Sequence, residues 1–277
     1  MPDTQEVAQS TPPRPFLKWA GGKTRLIQQY CRYFPQEFLT YHEPFLGGGA
    51  MFFHLQPQRS RLTDVNADLV NVFSCVRDQV DELIGLLECH RKLHSPEHYY
   101  RVRSQPEGSD LERAARLIYL NKTCFNGLYR ENSKGLFNVP IGRYRNPLIC
   151  DLETLRSASL ALQSAHIELR SFEEVLDYAH DRSDFVYLDP PYYPVSATSR
   201  FTEYNRRSFT QEDHVQLRDV FSTLAQRGVN VMLSNSDCSF VRELYQGFSI
   251  HTISASRSIS SKITKRGKIS ELLITNW

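Results

Sequence analysis

The ten residues 185–194, FVYLDPPYYP, place an apolar, β-favouring run directly before an acid and two prolines. Proline fixes φ and has no backbone donor, so a strand that begins at Phe185 must stop by Leu188. An ordinary turn requires neither an acid at the strand's last position nor an aromatic residue three positions later. We therefore expect Asp189 and Tyr192 to act on a ligand at the carboxyl end of a buried strand.

Strand-like runs alternate with helical patterns along most of the chain, which predicts an α/β fold with a mostly parallel sheet covered on both faces. We expect strands at 41–45, 61–64, 166–170, 185–188, 229–234, 248–253 and 271–277. We expect helices at 23–33, 50–55, 68–93, 110–120, 152–162 and 210–227.

The stretch 66–150 breaks this alternation. Two or three successive helices lead into FNGLYRENSKGLFNVPIGRYRNP, which predicts a β-hairpin with its turn near residues 132–135. We therefore expect an α/β domain formed by 15–65 and 151–277, with 66–150 inserted into it. Residues 1–14 are polar and proline-rich, and we expect a disordered leader there.

Composition excludes several classes of protein. The chain has 40% hydrophobic and 23% charged residues, and no apolar run approaches the ~20 residues of a membrane span. Its six cysteines form no Cys-x-x-Cys pair, so we expect no metal, no disulfide framework and a reducing, cytoplasmic compartment. We find no oligomeric signal, and a monomer is the default expectation.

The charge is unevenly distributed although the net charge is only +2. Residues 113–146 carry seven cations against the single acid Glu131, and residues 255–268 carry five cations and no acid. A charge run is usually only a solvated face. Here aromatic residues are interleaved with the first run, and cations together with stacking rings favour a nucleic-acid partner.

A glycine triplet follows the first expected strand in YHEPFLGGGAMFFHL, residues 41–55. Alone, Gly47–Gly49 is equally typical of a tight strand-to-helix turn. The second strand ends in Asp64, however, and a glycine loop followed by an acid at the next strand tip is typical of nucleoside binding. The glycines do not form Gly-x-Gly-x-x-Gly, so a ligand without phosphates is favoured.

The segment FLKWAGGKTRL, residues 16–26, contains GGKT but is not a phosphate-binding loop, because the position that requires its first glycine is Leu17. Lys23 beside a glycine pair could hold a carboxylate, and Trp19 could cover an aromatic ring. The alternative is a capped surface helix with a buried tryptophan.

The acid of the opening stretch can also be given a chemistry. At a strand tip, the Asp189 carboxylate can accept a hydrogen bond from an exocyclic amino group. The carbonyl of Pro190 can accept the second N–H, and Tyr192 offers a ring on which a base can stack. An amine held in this way directs its lone pair outward, toward an electrophilic carbon.

These motifs together resemble the DNA adenine N6-methyltransferases of the Dam and related restriction-modification family. FLKWAGGK, EPFLGGG, NGLYRENSKGLFNVPIGRY and DPPY occur in the order of the α-group amino-methyltransferases. The resemblance implies a Rossmann-like methyltransferase sheet with an inserted helical and β-hairpin target-recognition domain. It implies methyl transfer from S-adenosylmethionine to adenine N6 in double-stranded DNA, at GATC by analogy, by base flipping and direct in-line transfer.

The resemblance also implies roles for individual residues. The catalytic residues would be Asp189, Pro190 and Tyr192. The cofactor would contact Trp19, Lys23, Glu43, Phe45, Gly47, Gly49, Asp64 and Asp189, with Lys23 toward the methionine carboxylate and Asp64 on the ribose. DNA would contact Lys18, Phe125, Asn126, Leu128, Arg130, Asn132, Pro140, Arg143 and Tyr144. A closing loop is expected at 194–210, and phosphate contacts at 256–268.

Other functions stay open at this point. Asp-Pro-Pro-Tyr turns also serve methylation of RNA or of a protein amide, although the hairpin disfavours both. A DNA-binding regulator without activity is the alternative from another class. The host would be a prokaryote, where the protein would associate with the nucleoid, or a phage, and more than one copy could bind one DNA.

Overall fold

The computed structural model describes residues 11–195, 209–256 and 268–277. Within them, seven strands form one sheet in the order β3-β2-β1-β4-β5-β7-β6. The strands are β1 Thr40–Glu43, β2 Ser60–Asp64, β3 Ala165–Leu169, β4 Asp184–Leu188, β5 Asn230–Ser236, β6 Ser249–Ser256 and β7 Lys268–Thr275. Strands β1 to β5 pair in parallel, whereas β7 is antiparallel to both β5 and β6. The mostly parallel α/β sheet is confirmed.

The helices cover this sheet and make up most of the segment between β2 and β3. They are α1 Ile27–Tyr30, α2 Ala50–Leu55, α3 Ala67–Asp78, α4 Val80–Leu93, α5 Pro96–Ser104, α6 Asp110–Thr123, α7 Leu152–Leu162, α8 Gln211–Gln226 and α9 Ser239–Leu244. Short 3-10 turns lie at Cys31–Tyr33, Phe125–Gly127 and Phe172–Asp177.

Strand β4 shows where the core lies, because all five of its residues are buried. Phe185 and Tyr187 belong to the apolar cluster on one face of the sheet, and Val186 and Leu188 belong to the cluster on the other. A strand that is buried at every position and apolar from Phe185 to Leu188 is the expected result when helices cover both faces.

Local capping explains where several helices begin. Ser109 and Glu112 form a reciprocal capping box at α6, and Thr210 and Asp213 form one at α8. The Asn66 side chain accepts hydrogen bonds from two backbone N–H groups at the start of α3. Such caps satisfy backbone donors that no earlier turn can accept, at about 1 kcal/mol each.

Several expected elements differ from the structure. The single helix expected at 68–93 is two helices, α3 and α4, because Gln79 between them leaves the helical region with φ −141°. The helix expected at 23–33 is reduced to α1 and a 3-10 turn. Strand β1 stops at Glu43 rather than residue 45, since Pro44 cannot donate to a ladder.

The hairpin turn expected near 132–135 is present. Gly135 N–H donates to Asn132 O at 2.9 Å, and the Asn132 side-chain oxygen accepts from the Lys134 and Leu136 N–H groups at 2.9 and 3.1 Å. The arms are joined by two isolated bridges, Glu131 with Phe137 and Cys124 with Ile141, rather than by a continuous ladder.

The last residues of the expected leader contact the start of α7. Thr11 Oγ1 donates to Glu153 Oε2 at 3.0 Å, and Arg14 contacts both Asp151 and Thr154. Asp151 caps α7, so these contacts hold 11–14 against the start of that helix. A local pattern of prolines and polar residues does not show such distant partners.

Candidate active site

Parallel strands bring three predicted acids to one edge of the sheet. Glu43 ends β1, Asp64 ends β2, and Asp189 follows β4. The carboxyl ends of neighbouring parallel strands form the edge at which open α/β sheets bind their ligands. In the structure the three acids lie at this edge, and their individual roles stay predictions.

The Asp189 carboxylate is held by two side chains. Lys23 Nζ lies 2.8 Å from Asp189 Oδ1 and also donates to Gly21 O at 2.8 Å. Ser234 Oγ donates to the same Oδ1 at 2.6 Å. Leu188 and Leu233 pair across β4 and β5, so the residues that follow them, Asp189 and Ser234, lie side by side.

Lys23 is only 4% exposed, and this burial gives the ion pair its importance. A buried ammonium requires a compensating charge, and the carboxylate of Asp189 supplies it. The resemblance placed Lys23 at the methionine carboxylate, and that role stays a prediction. In the structure its ammonium faces Asp189 instead.

Tyr192 is anchored at its hydroxyl and covered on its ring. The hydroxyl donates to Glu271 Oε2 at 3.1 Å, and the Lys23 Nζ lies 4.7 Å from the centroid of the ring. Burial, together with the negative charge of Asp189, raises the pKa of Tyr192 well above its usual value, so the hydroxyl stays a donor. Pro190 is buried behind it.

The backbone after the prolines is also fixed. Tyr193 N–H donates to Asn235 Oδ1 at 3.0 Å, and its ring stacks on Phe240 at 4.3 Å between centroids. The second tyrosine of the pair therefore packs against the domain, while Tyr192 points into the site network.

The glycine loop and Trp19 are in direct contact. A Cβ at Gly47 would lie 3.2 Å from Trp19 Cδ1, and one at Gly48 would lie 3.2 Å from Trp19 Cβ. Gly47 and Gly49 also have positive φ, 49° and 66°, which side chains disfavour. The other side of Trp19 meets Tyr129, with ring centroids 5.1 Å apart.

Asp64 holds this loop through its carboxylate. Oδ2 accepts from Gly47 N–H at 3.1 Å, and Oδ1 accepts from Asn66 N–H at 2.9 Å. The loop, the tip of β2 and the start of α3 are thus joined at the place where a ribose was expected. Phe45, just before the loop, stacks on Phe172, with ring centroids 5.4 Å apart.

Glu43 is the least satisfied acid at this edge. It is 3% exposed, and burial raises the pKa of its carboxyl to about 8. Its Oε2 has no hydrogen-bond partner among the described residues. A buried carboxyl oxygen without a partner costs free energy, so the site favours a ligand that carries a donor or a positive charge.

The residues expected to contact DNA begin beside this edge. Lys18 is exposed, and its Nζ lies 3.4 Å from Tyr144 Oη and 4.4 Å from the centroid of that ring. Asn121 is buried and joins two segments: it bonds both Lys18 N and Lys18 O, at 2.8 and 2.7 Å, and donates to Gly127 O at 3.1 Å.

The hairpin residues form an exposed surface next to Lys18. Phe125 is 48% exposed, and its N–H donates to Pro140 O at 2.9 Å, which joins the two arms. Asn126 has a positive φ of 56° and is also exposed. Leu128 packs against the core, and Arg143 is exposed.

Two of these expected DNA contacts have partners within the hairpin. Arg130 Nε donates to Asn138 Oδ1 at 2.7 Å, which fixes the direction of an exposed guanidinium. Asn132 uses its side-chain oxygen for the turn described above. Its amide nitrogen is the part of the side chain that the turn does not use.

Three site residues were missed by sequence reasoning: Asn121, Ser234 and Glu271. Each is polar within a segment that is otherwise apolar and buried, and that contrast is the signal that could have found them. Their partners lie far away in the sequence, so the contrast alone would not have shown what they bind.

Parts of two expected segments lie outside the described residues, namely 196–208 of the closing loop and 257–267 of the basic run. Within the part of the chain that the structure describes, no group of three or more His, Cys, Asp or Glu side chains is arranged to hold a metal ion. A search of the same residues found no helix with the length and apolar character needed to cross a membrane.

The sheet and its glycine loop are typical of a Rossmann-like enzyme that binds a nucleoside-containing ligand at the carboxyl ends of its strands. Residues 19–259 match the family described as D12 class N6 adenine-specific DNA methyltransferase. The chain belongs to this family. It is an adenine-specific DNA methyltransferase, and its methyl donor is S-adenosylmethionine.

Curated relatives extend over nearly the whole chain. Type II methyltransferase M1.LlaDCHI of Lactococcus lactis subsp. cremoris is 45% identical, with 95% of each chain covered. Type II methyltransferase M.MjaIII of Methanocaldococcus jannaschii is 41% identical, covering 95% of this chain and 99% of the relative. DNA adenine methylase of Escherichia coli K12 is 39% identical, with 94% of each chain covered.

The residues at the sheet edge fit this cofactor. S-adenosylmethionine carries a ribose, a sulfonium and an ammonium but no phosphate, so the glycine loop needs no cationic cradle. The unpartnered carboxyl oxygen of Glu43 suits a positively charged group. Trp19 and the glycine loop supply flat, close-packed walls.

Proposed function

We propose that the protein methylates N6 of adenine within GATC in double-stranded DNA, after the adenine has left the helix stack. The observation that carries this proposal is the convergence of Asp189, Lys23 and Tyr192 at the edge that also bears the glycine loop. In this proposal 15–65 and 151–277 form the catalytic domain, and 66–150 is the target-recognition domain.

The catalytic turn would hold the adenine amino group from two sides. One N–H donates to the Asp189 carboxylate and the other to the Pro190 carbonyl, and the base stacks on Tyr192. Stacking of a base on an aromatic ring contributes roughly 1–3 kcal/mol, which offsets part of the cost of flipping. The N6 lone pair is then directed away from the protein acceptors.

Lys23 and Ser234 would prepare the acid for this task. Both bind Asp189 Oδ1, so the carboxylate has one orientation before DNA arrives. Asp189 polarises the amino group rather than removing its proton. S-adenosylmethionine supplies an electrophilic methyl group when bound, and the residues contribute alignment, which accounts for a large part of many enzymatic accelerations.

The cofactor would lie along the glycine loop. Trp19, Phe45, Gly47 and Gly49 would form the walls of its pocket, and Asp64 would accept hydrogen bonds from the ribose in addition to those of the loop. The buried carboxyl of Glu43 would face a positive group of the cofactor.

The exposed hairpin surface would select the DNA site. Arg130 would bond a guanine edge in the major groove, with its direction set by Asn138. Phe125 would insert beside the flipped base. The remaining contacts would come from Lys18, Asn126, Leu128, Asn132, Pro140, Arg143 and Tyr144.

We also infer that the enzyme is a monomer, that more than one copy can occupy one DNA, and that it acts in the cytoplasm of a prokaryote, at the nucleoid or during phage infection. Sedimentation of the enzyme with and without duplex tests its stoichiometry.

Methyl transfer to duplexes that differ at one base pair tests the main proposal. The protein is incubated with labelled S-adenosylmethionine and each duplex, and the digested nucleosides are identified. We expect N6-methyladenine from the GATC duplex and far less from every single-base variant. Equal labelling of the variant duplexes would rule out GATC as the recognition sequence. Label on cytosine or on RNA alone would overturn the whole proposal.

Base flipping requires a separate measurement. The target adenine is replaced by 2-aminopurine, whose fluorescence rises when it leaves the stack. We expect a rise on binding at the target position and none when the analogue is placed at a neighbouring adenine outside the site. A duplex that binds without a rise at the target would contradict flipping.

A further inference from the structure

Glu271 is a buried acid that belongs to none of the sequence motifs. It lies on β7, opposite Ser236 of β5 and Ile253 of β6, and is 7% exposed. The residues that follow it, Leu272, Leu273 and Ile274, are fully buried and apolar. A carboxyl group in such a strand requires strong hydrogen bonds.

Two tyrosines supply those hydrogen bonds. Tyr192 Oη donates to Glu271 Oε2 at 3.1 Å, and Tyr30 Oη donates to Oε1. The two donors come from different elements, since Tyr30 ends α1 and Tyr192 follows β4. Burial raises the pKa of Glu271, and the nearby charge of Lys23 acts in the opposite direction.

Tyr192 is therefore restrained at two points. Glu271 holds its hydroxyl, and the ammonium of Lys23 lies over its ring at 4.7 Å. Lys23 Nζ also contacts Asp189 Oδ1 and Gly21 O, so these two atoms, rather than the Tyr192 ring, fix its position. The direction of the ring thus depends on the hydrogen bond at its far end.

We propose that Glu271 is a positioning residue that orients the Tyr192 ring to receive the flipped adenine. The inference rests on the proposed stacking role of Tyr192. Aromatic contacts depend on ring offset and tilt, so a ring fixed beforehand binds a base without first losing its own rotational freedom.

A purely structural role predicts something different. If Glu271 only satisfied its own burial, its two tyrosine bonds would be equivalent, and losing either would lower stability without affecting the reaction. The chain offers a matched pair for this comparison. Tyr30→Phe and Tyr192→Phe each remove one hydroxyl from the same carboxylate, and both keep the ring.

The test measures five quantities for the wild type, Tyr30→Phe, Tyr192→Phe, Glu271→Gln and the double variant Glu271→Gln/Tyr192→Phe. They are Tm, the Kd for S-adenosylmethionine, kcat and KM for duplex DNA, and 2-aminopurine fluorescence at the target. Kinetics use whichever duplex the wild type methylates, so a failure of the GATC proposal appears in the wild type and leaves the variant ratios measurable.

We expect Tyr192→Phe and Glu271→Gln each to lower kcat/KM by roughly tenfold, the change expected from losing one hydrogen bond to a charged group. The flipped-base fluorescence should fall in both, with the cofactor Kd unchanged. The double variant should be no worse than the more severe single variant. Tyr30→Phe should lower Tm and keep kcat/KM within about twofold of the wild type.

Two results would overturn the inference. One is equal behaviour of Tyr30→Phe and Tyr192→Phe in kinetics and fluorescence. The other is wild-type kcat/KM in Glu271→Gln. If Glu271→Gln does not fold, the Tyr30 and Tyr192 variants decide the question, because each leaves the carboxylate in place with one remaining tyrosine partner.

Discussion

Replacing Glu43 by Gln should change how the stability of the protein depends on pH. Glu43 is 3% exposed, and burial raises the pKa of its carboxyl from an ordinary 4.5 to about 8. The charges of Asp189 and Asp64 act in the same direction. At about 1.4 kcal/mol for each unit of pKa, this difference corresponds to about 5 kcal/mol as an upper bound.

The sign follows from where the proton is held. Between pH 4.5 and about 8 the folded protein keeps a proton on Glu43 that the unfolded chain has released. The stability contributed by neutral Glu43 is therefore fully present below pH 4.5 and is lost as the pH rises through about 8. Glutamine has nearly the same shape and is neutral throughout, so Glu43→Gln should not show this loss.

Urea unfolding at several pH values between 5 and 8.5 measures the effect. The free energy of unfolding of the wild type should fall relative to Glu43→Gln by several kcal/mol across this range. Glu37→Gln is the matched control, because Glu37 is exposed, and its difference from the wild type should stay flat. A flat difference for Glu43→Gln would show that Glu43 is already ionised in the folded protein and refute the reasoning.

The same proton should be linked to cofactor binding. If a positive group of S-adenosylmethionine lies against Glu43, binding favours the ionised carboxylate and releases the proton near pH 7. Calorimetric titration in two buffers of different ionisation enthalpy should detect the release in the wild type and not in Glu43→Gln. Equal proton release in the wild type and in Glu43→Gln would show that the positive group of the cofactor does not lie against Glu43.

Three further substitutions test other parts of the site. Asp189→Asn should abolish methyl transfer and lower the free energy of unfolding by up to about 3–5 kcal/mol, because a buried lysine loses its carboxylate partner; transfer at a near wild-type rate would contradict its role. Gly127→Ala should cost more stability than Gly135→Ala. Both glycines have positive φ, 64° and 78°, but of the two only Gly127 would place its new Cβ 2.5 Å from another side chain, that of Lys18. Equal losses of stability in the two variants would show that this contact relaxes freely. Arg130→Ala should relax discrimination at one base pair by about 1–3 kcal/mol, measured by competition between duplexes, whereas uniform weakening would make it a phosphate contact.

Local sequence predicted the features that depend on neighbouring residues. Pro190 and Pro191 end β4 because proline cannot join a ladder, and the strand stops at Leu188 as expected. The glycine loop and the turn at 132–135 were also found, since each depends on a conformation or hydrogen bond within a few residues.

Local patterns failed where competing interactions decide. The apolar periodicity of 68–93 continues across Gln79, and yet the helix breaks there. Both α3 and α4 pack against α6, so each keeps an apolar face after the break. Periodicity reports which face is buried and is insensitive to a change in the direction of the axis.

The sequence alone therefore predicted the edge of the sheet at which we propose that this methyltransferase acts, because strand ends, glycines and acids are local features. Only the tertiary structure decided which side chains contact one another at that edge. Lys23 reaches Asp189, Asn121 joins Lys18 to the hairpin, and Glu271 meets Tyr192 only because β7 inserts antiparallel between β5 and β6. Contacts between residues so distant in the chain depend on topology, which no short stretch of sequence carries.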